Sequence, residues 1–315
     1  MTASESIRRS HPRHAQVNHW TAPDGWQLRS FAWPVEDARP RGSILFLNGR
    51  GDVFEKYLEL FHHWHGQNWT ITAFDWRGQG GSGRCTDDPA CGHIDRFDRF
   101  VDDLAGFAAD WMAATPGPHV VMGHSMGGQL LLQALVEKRL RPDAAVLIAP
   151  MLGIRTIFGA WLGERLSRMV GGIGNSARPA WRGNDTPRAT ETRQELLTHD
   201  RDRYADELFW QQSDPALLTG APSWQWVMEA FRVTRELRRN PDLKTMDVPV
   251  LALIALADKL VDSRAAIRTL GKLPDARIVR FGKESAHEIL RESDRVRNRA
   301  IGEIELFLAA RAQRR

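Results

Sequence analysis

Six short apolar runs are spaced along the chain: SILFL (Ser43 to Leu47), TITAF (Thr70 to Phe74), HVVM (His119 to Met122), AAVLI (Ala144 to Ile148), VLALIAL (Val250 to Leu256) and RIVRF (Arg277 to Phe281). A strand wetted on one face alternates apolar and polar residues. Runs like these suit strands covered on both faces, as in a parallel sheet sandwiched between helices. Helical patterns lie between them. Phe97, Phe100, Val101, Leu104, Phe107 and Ala108 keep the three-four spacing of an amphipathic helix, as do Leu130, Leu131, Ala134 and Leu135. A last helix from Val296 to Arg311 carries Ile301, Ile304 and Leu308 on one face. Upstream, HWTAPDGWQLRSFAWP reads as two strands around the turn Pro23-Asp24-Gly25. The alternation predicts an α/β fold built on a mostly parallel, doubly wound sheet.

The alternation stops after Pro150. From Met151 to Asp247 helical patterns follow one another, and strands resume at Val248. This predicts a helical cap, residues 151–247, inserted between two late core strands. The core comprises residues 16–150 and 248–315, and residues 1–15 form a mobile tail. The cap begins with Ile154, Ile157, Phe158, Trp161, Leu162, Leu166, Met169 and Val170 opposite Arg155, Glu164, Arg165 and Arg168, and glycines at 171, 172 and 174 end it. This amphipathic stretch is a candidate for contact with a membrane surface, although such stripes more often pack on the body beneath them.

Composition excludes several classes. With 42% hydrophobic and 26% charged residues, the 315-residue chain has an ordinary globular balance. No apolar run approaches the ~18 residues of a membrane-spanning helix. The N-terminus has arginines but no apolar core of a secretory signal, so a cytoplasmic location is expected, with peripheral membrane association as a variant. The net charge of +4 comes from scattered residues and lacks the basic stripe of a nucleic-acid binder. Two cysteines, Cys85 and Cys91, are too few for a disulfide framework and are expected as free thiols. With His93 they match no zinc spacing, so no metal is expected.

The chemistry enters at Gly123-His124-Ser125-Met126-Gly127, a G-x-S-x-G placed after a strand and opening a helix. A nucleophilic serine must project from a sharp, strained turn, where side chains at Gly123 and Gly127 would collide with neighbouring backbone. The helix behind Ser125 aims free N–H groups at the reaction centre, and the Met126 N–H is a candidate oxyanion donor. A serine also needs a base, and the base an orienting acid. After the late strand stand Asp258 and Asp262. Asp262 looks like the N-cap of the next helix, so Asp258 is the choice, although either could serve merely as a cap. His287 is the one histidine after Asp258, set in a loop beyond the last strand, and is the expected base. His124 is adjacent to Ser125, but neighbours at such a turn point apart. The second oxyanion donor is expected from Asn48-Gly49-Arg50-Gly51-Asp52, through the N–H of Arg50. That loop matches no phosphate-binding spacing.

NGRGDVFEKY, FDWRGQGGSGR, GHSMGG, ADKLVD and SAHEIL together resemble the α/β-hydrolases of the monoacylglycerol lipase and lysophospholipase group, from about Gln27 to Leu308. The resemblance implies Ser125 as nucleophile, Asp258 as acid, His287 as base, and an oxyanion hole from the N–H groups of Arg50 and Met126. It implies a cap at the helical insertion and no cofactor. Many relatives carry His-Gly where this chain has Asn48-Gly49, which bears on substrate subgroup more than on catalysis.

The expected activity is hydrolysis of single-chain lipid esters, lysophospholipid or monoacylglycerol, through an acyl-enzyme on Ser125. Phe158, Trp161 and Trp224 are candidate acyl-chain contacts, within a cap that also carries Trp181, Trp210 and Trp226. Two rival readings are a peptidase of the same sheet class, which would need acidic residues facing the pocket, and a slow-turnover ligand sensor.

Overall fold

A computed structural model describes residues 3–37, 39–155, 165, 169, 171–172, 174–181 and 191–313. Its centre is an eight-stranded sheet: β1 (Gln16–Thr21), β2 (Gln27–Trp33), β3 (Gly42–Leu47), β4 (Trp69–Phe74), β5 (His119–His124), β6 (Ala144–Ile148), β7 (Val250–Ala255) and β8 (Ala276–Phe281). The order is β1-β2-β4-β3-β5-β6-β7-β8. β1 and β2 form an antiparallel hairpin, β2 runs antiparallel to β4, and every later pairing is parallel. All six apolar runs are strands. The hairpin turn closes as expected, with Gly25 at φ +86° and its N–H on the carbonyl of Ala22.

The uniform apolarity of the central strands follows from their two covered faces. Along β3, Leu45 and Leu47 join one core cluster while Ile44 and Phe46 join the other. The first cluster takes side chains from α3 (Asp98–Ala114) and α4 (Met126–Val136), including Phe100, Leu104, Leu130 and Leu131. The second takes Leu58, Phe61 and Trp64 from α2 (Leu58–Gly66) and Ile301, Ile304 and Leu308 from the C-terminal helix, Asp294–Arg311. Each such side chain contributes ~1.5–3 kcal/mol of burial, so exposing either face would be costly.

Between β6 and β7 the described residues form α5 (Glu191–Leu197), α6 (Arg201–Ser213) and α7 (Trp224–Arg239), with short 3-10 turns at Pro215–Leu217 and Pro241–Lys244. The late connection is α8 (Ser263–Leu270), and the C-terminal helix is α9. The segment before β1 differs from the expected tail. Ala3–Arg8 is a helix, α1, and the arginines at its end find a buried acid: Arg8 and Arg9 both reach Asp206 of α6, at 2.6 and 2.7 Å. His11 stacks on Trp210. No described helix is long and apolar enough to cross a membrane.

Candidate active site

β5 ends at His124 and α4 begins at Met126, leaving Ser125 alone in the turn. Its backbone sits at φ +52° and ψ −115°, a conformation costing ~1–3 kcal/mol for a residue with a side chain. Backbone bonds hold it there: Ser125 N–H donates to the Ile148 carbonyl at 2.9 Å, and Met151 and Gln129 donate to the Ser125 carbonyl. The glycines are a packing requirement. A Cβ on Gly123 would stand 2.6 Å from the Gly127 carbonyl oxygen, and one on Gly127 would stand 2.5 Å from that of Leu47.

Three separate segments meet at the hydroxyl. His287 Nε2 lies 2.9 Å from Ser125 Oγ, and His287 Nδ1 lies 2.6 Å from Asp258 Oδ2. The other Asp258 oxygen accepts from the N–H groups of Leu260 and Val261 at 2.7 and 3.1 Å, which fixes the carboxylate in the loop after β7. Burial opposes charge on Asp258, but His287 and these donors outweigh it and hold the carboxyl below its usual range. Burial likewise opposes protonation of His287. Asp258, then Glu288 and Asp52, outweigh it, and the imidazole is raised above an ordinary histidine. Asp262, the alternative acid, instead caps α8 by accepting from Ala265 N–H at 2.9 Å. His124 turns away from the hydroxyl to the Tyr57 phenol, 3.0 Å off.

The Asn48–Asp52 loop passes beside Ser125: a Cβ on Gly49 would lie 3.3 Å from the Ser125 Cβ. Asn48 is structural, its amide donating to the Asp52 carbonyl at 2.9 Å across the loop. Met126 opens α4, so its N–H has no partner carbonyl one turn earlier in the helix. Below this loop is a buried cluster that sequence reasoning missed. Lys56, Glu207, Glu288 and Arg291 are all under a tenth exposed. Its one sequence hint is the Asp52–Lys56 spacing, which normally signals a solvated helix pair.

A cavity of about 450 Å³ opens over Ser125. Met151, Ile154, Trp181, Leu196, Leu197, Trp226, Leu260 and Val261 give it an apolar wall, and Arg50, Arg155, Arg193 and Lys259 bring four cationic side chains to it. Trp224 is not on that wall. Trp226 is, because two residues along a helix turn the side chain by more than half a revolution. Phe158 and Trp161, and most of the amphipathic stretch from Ile154 to Val170, lie outside the described residues.

A parallel sheet ending in a strand–serine–helix elbow, with acid and histidine on later loops, defines an α/β-hydrolase, and the chain is a serine hydrolase. Residues 38–294 match the family described as Serine aminopeptidase, S33, and the chain belongs to that family. It is 31% identical over 283 residues to lysophospholipase L2 of Escherichia coli, covering 84% of this chain and 79% of that one. A probable lysophospholipase L2 of Haemophilus influenzae is 26% identical over 269 residues, covering 85% and 84%. In fold it resembles a soluble variant of monoglyceride lipase from Saccharomyces cerevisiae, with TM-score 0.75 and 17% identity over 96% of this chain and 98% of that one.

Proposed function

We propose that the protein hydrolyses carboxylic esters of single-chain lipids, with Ser125 as nucleophile, His287 as base and Asp258 as the acid that orients it. The Ser125–His287–Asp258 hydrogen-bonded relay carries this reading. Ionised Asp258 accepts from Nδ1–H, which leaves the Nε2 lone pair toward the hydroxyl. As Ser125 attacks the ester carbonyl, its proton passes to His287. The N–H groups of Met126 and Arg50 hold the developing oxyanion, each worth ~3 kcal/mol to the transition state. His287 then protonates the departing alcohol oxygen, and water releases the fatty acid by the same steps. Residues 151–247 serve as the cap, and their apolar wall takes the acyl chain, each buried CH₂ adding ~0.8 kcal/mol.

The head group is best read as phosphate-bearing, a lysophospholipid, above the neutral head of a monoacylglycerol. Lys259 is exposed at the cavity with no acidic partner among the described residues, and the Arg155 guanidinium beside it donates to a carbonyl, that of Asp258, at 2.6 Å. The name of the Escherichia coli relative agrees. A peptidase would need an uncommitted carboxylate for a substrate amino terminus. Among the described residues the acids on the cavity wall are Asp52 and Glu288, and both are bound by Lys56.

The test is steady-state hydrolysis of lysophosphatidylcholine, a monoacylglycerol of the same chain, p-nitrophenyl esters and aminoacyl amides. Lysophosphatidylcholine is expected to have the highest kcat/KM, and Ser125→Ala to fall about 10⁶-fold. Turnover retained in Ser125→Ala would refute the nucleophile. Preference for the amides would install the peptidase, and a single burst without turnover the sensor.

A further inference from the structure

Asp52, Glu207 and Glu288 each present a carboxylate oxygen, and the three oxygens lie within 4.8 Å of one another in the interior. That is the spacing of a cage for a cation. The cation in it is the protein's own: the Lys56 ammonium lies 2.6 Å from Asp52, 2.7 Å from Glu207 and 2.6 Å from Glu288. The ammonium donates hydrogen bonds to Asp52 and Glu288 and pairs with Glu207 by charge. Burial acts to discharge Lys56, but the three acids outweigh it and keep it charged. Arg193 and Arg291 close the outside of the cage, at 2.7 Å from Glu207 and 2.6 Å from Glu288, so three anions meet three cations.

The three acids come from the three segments whose relative placement the reaction needs. Asp52 closes the loop carrying the Arg50 N–H, and its carboxylate accepts from Gly49 N–H at 3.3 Å. Glu288 follows His287 directly. Glu207 is on α6 of the insertion, and the end of α5 also holds the histidine loop, the Leu197 carbonyl accepting from Glu288 N–H at 2.7 Å.

We propose that Lys56 is a positioning residue, an internal cation that fixes the oxyanion loop, the histidine loop and helix α6 in one register. It touches no substrate and acts through Arg50 and His287. This inference rests on the catalytic roles proposed above.

The experiment compares wild type, Ser125→Ala, Lys56→Met, Glu288→Gln and Glu207→Gln on p-nitrophenyl butyrate, with the folded fraction measured by circular dichroism and size exclusion. A wild type that does not turn over, or an active Ser125→Ala, would refute the catalytic reading itself. With those controls in order, kcat per folded Lys56→Met is expected to drop about 100-fold, the scale of a 1 Å misplacement, with KM within about threefold of wild type. Methionine nearly matches lysine in length, and Lys56 itself does not line the cavity. Wild-type kcat in folded Lys56→Met, or a loss carried by KM alone, would overturn the proposal. Should Lys56→Met not fold, the glutamine variants decide, since each keeps the ammonium and weakens one limb. A lowered kcat at unchanged KM in Glu207→Gln supports the proposal, since Glu207 is not among the groups that act directly on His287, and wild-type kcat in both variants overturns it.

Discussion

The helices inserted between β6 and β7 are fastened to the core by two different means. α6 is held largely by charge. Arg203 of α6 binds Glu59 of α2 through two nitrogens at 2.7 and 2.8 Å, Asp294 at 2.6 Å, and the carbonyl of Glu292. Glu207 joins the Lys56 cage, and Asp206 takes Arg8 and Arg9. α7 is held by apolar packing: Trp226, Ala230, Val233 and Leu237 enter the same core cluster as Phe97 and Leu152. Charge-assisted bonds demand geometry and punish the loss of one partner. Apolar contacts ask mainly for volume. The exacting attachment lies under the base, where placement matters, and the tolerant one backs the cavity wall, where shape and hydrophobicity matter.

That contrast can be broken from either side. The largest effect is expected from Arg291→Met, which strips a buried partner from Glu288 and should cost about 3–5 kcal/mol, read from denaturant unfolding. A loss under about 1 kcal/mol, the scale of an exposed surface pair, would show the charged attachment to be ornamental. Next, Leu237→Ala in α7 should cost about 2–5 kcal/mol, whereas Leu237→Met, which keeps the volume, should cost less than about 1.5 kcal/mol. Equal losses in the two would mean that α7 is as exacting as α6.

The smallest effect concerns pH. His287 must be neutral to take the serine proton, and its pKa is raised by Asp258, Glu288 and Asp52 against burial. The acid limb of kcat/KM should therefore turn at a higher pH than an ordinary histidine would give. The groups facing the ring are Asp258, Asp52, Glu288, His124 and Ser125. Glu288→Gln removes one anion and should move the limb toward lower pH, while Leu237→Met should leave it in place. A pH–rate profile turning below the ordinary histidine range in wild type would contradict the electrostatics described here.

Much of this was readable from the chain because it depends on local pattern. Strands covered on both faces announce themselves as unbroken apolar runs, so β3 to β8 were located to within a residue or two. The elbow carries its own steric signature, and Asp258 could be told from Asp262 because one follows a strand and the other precedes a helix. What depends on distant partners was not readable. Lys56, Glu207 and Glu288 look like solvated charges, and only folding brings them together. Arg8 and Arg9 looked like part of a loose tail because Asp206 is nearly two hundred positions away. Trp226 was missed in favour of Trp224 because composition does not fix the rotation of a helix. Ser223 does: it caps α7 by accepting from Trp226 N–H, which sets which indole looks inward.

The contact of Gly127 with Leu47 sets where new specificities can arise. The end of β3 and the start of α4 touch backbone to backbone, leaving no space for even one methyl group between them. Anyone redesigning this scaffold for a foreign ester is therefore confined to the roof. There Trp181, Leu260 and Lys259 can be exchanged, while the floor tolerates no new atom.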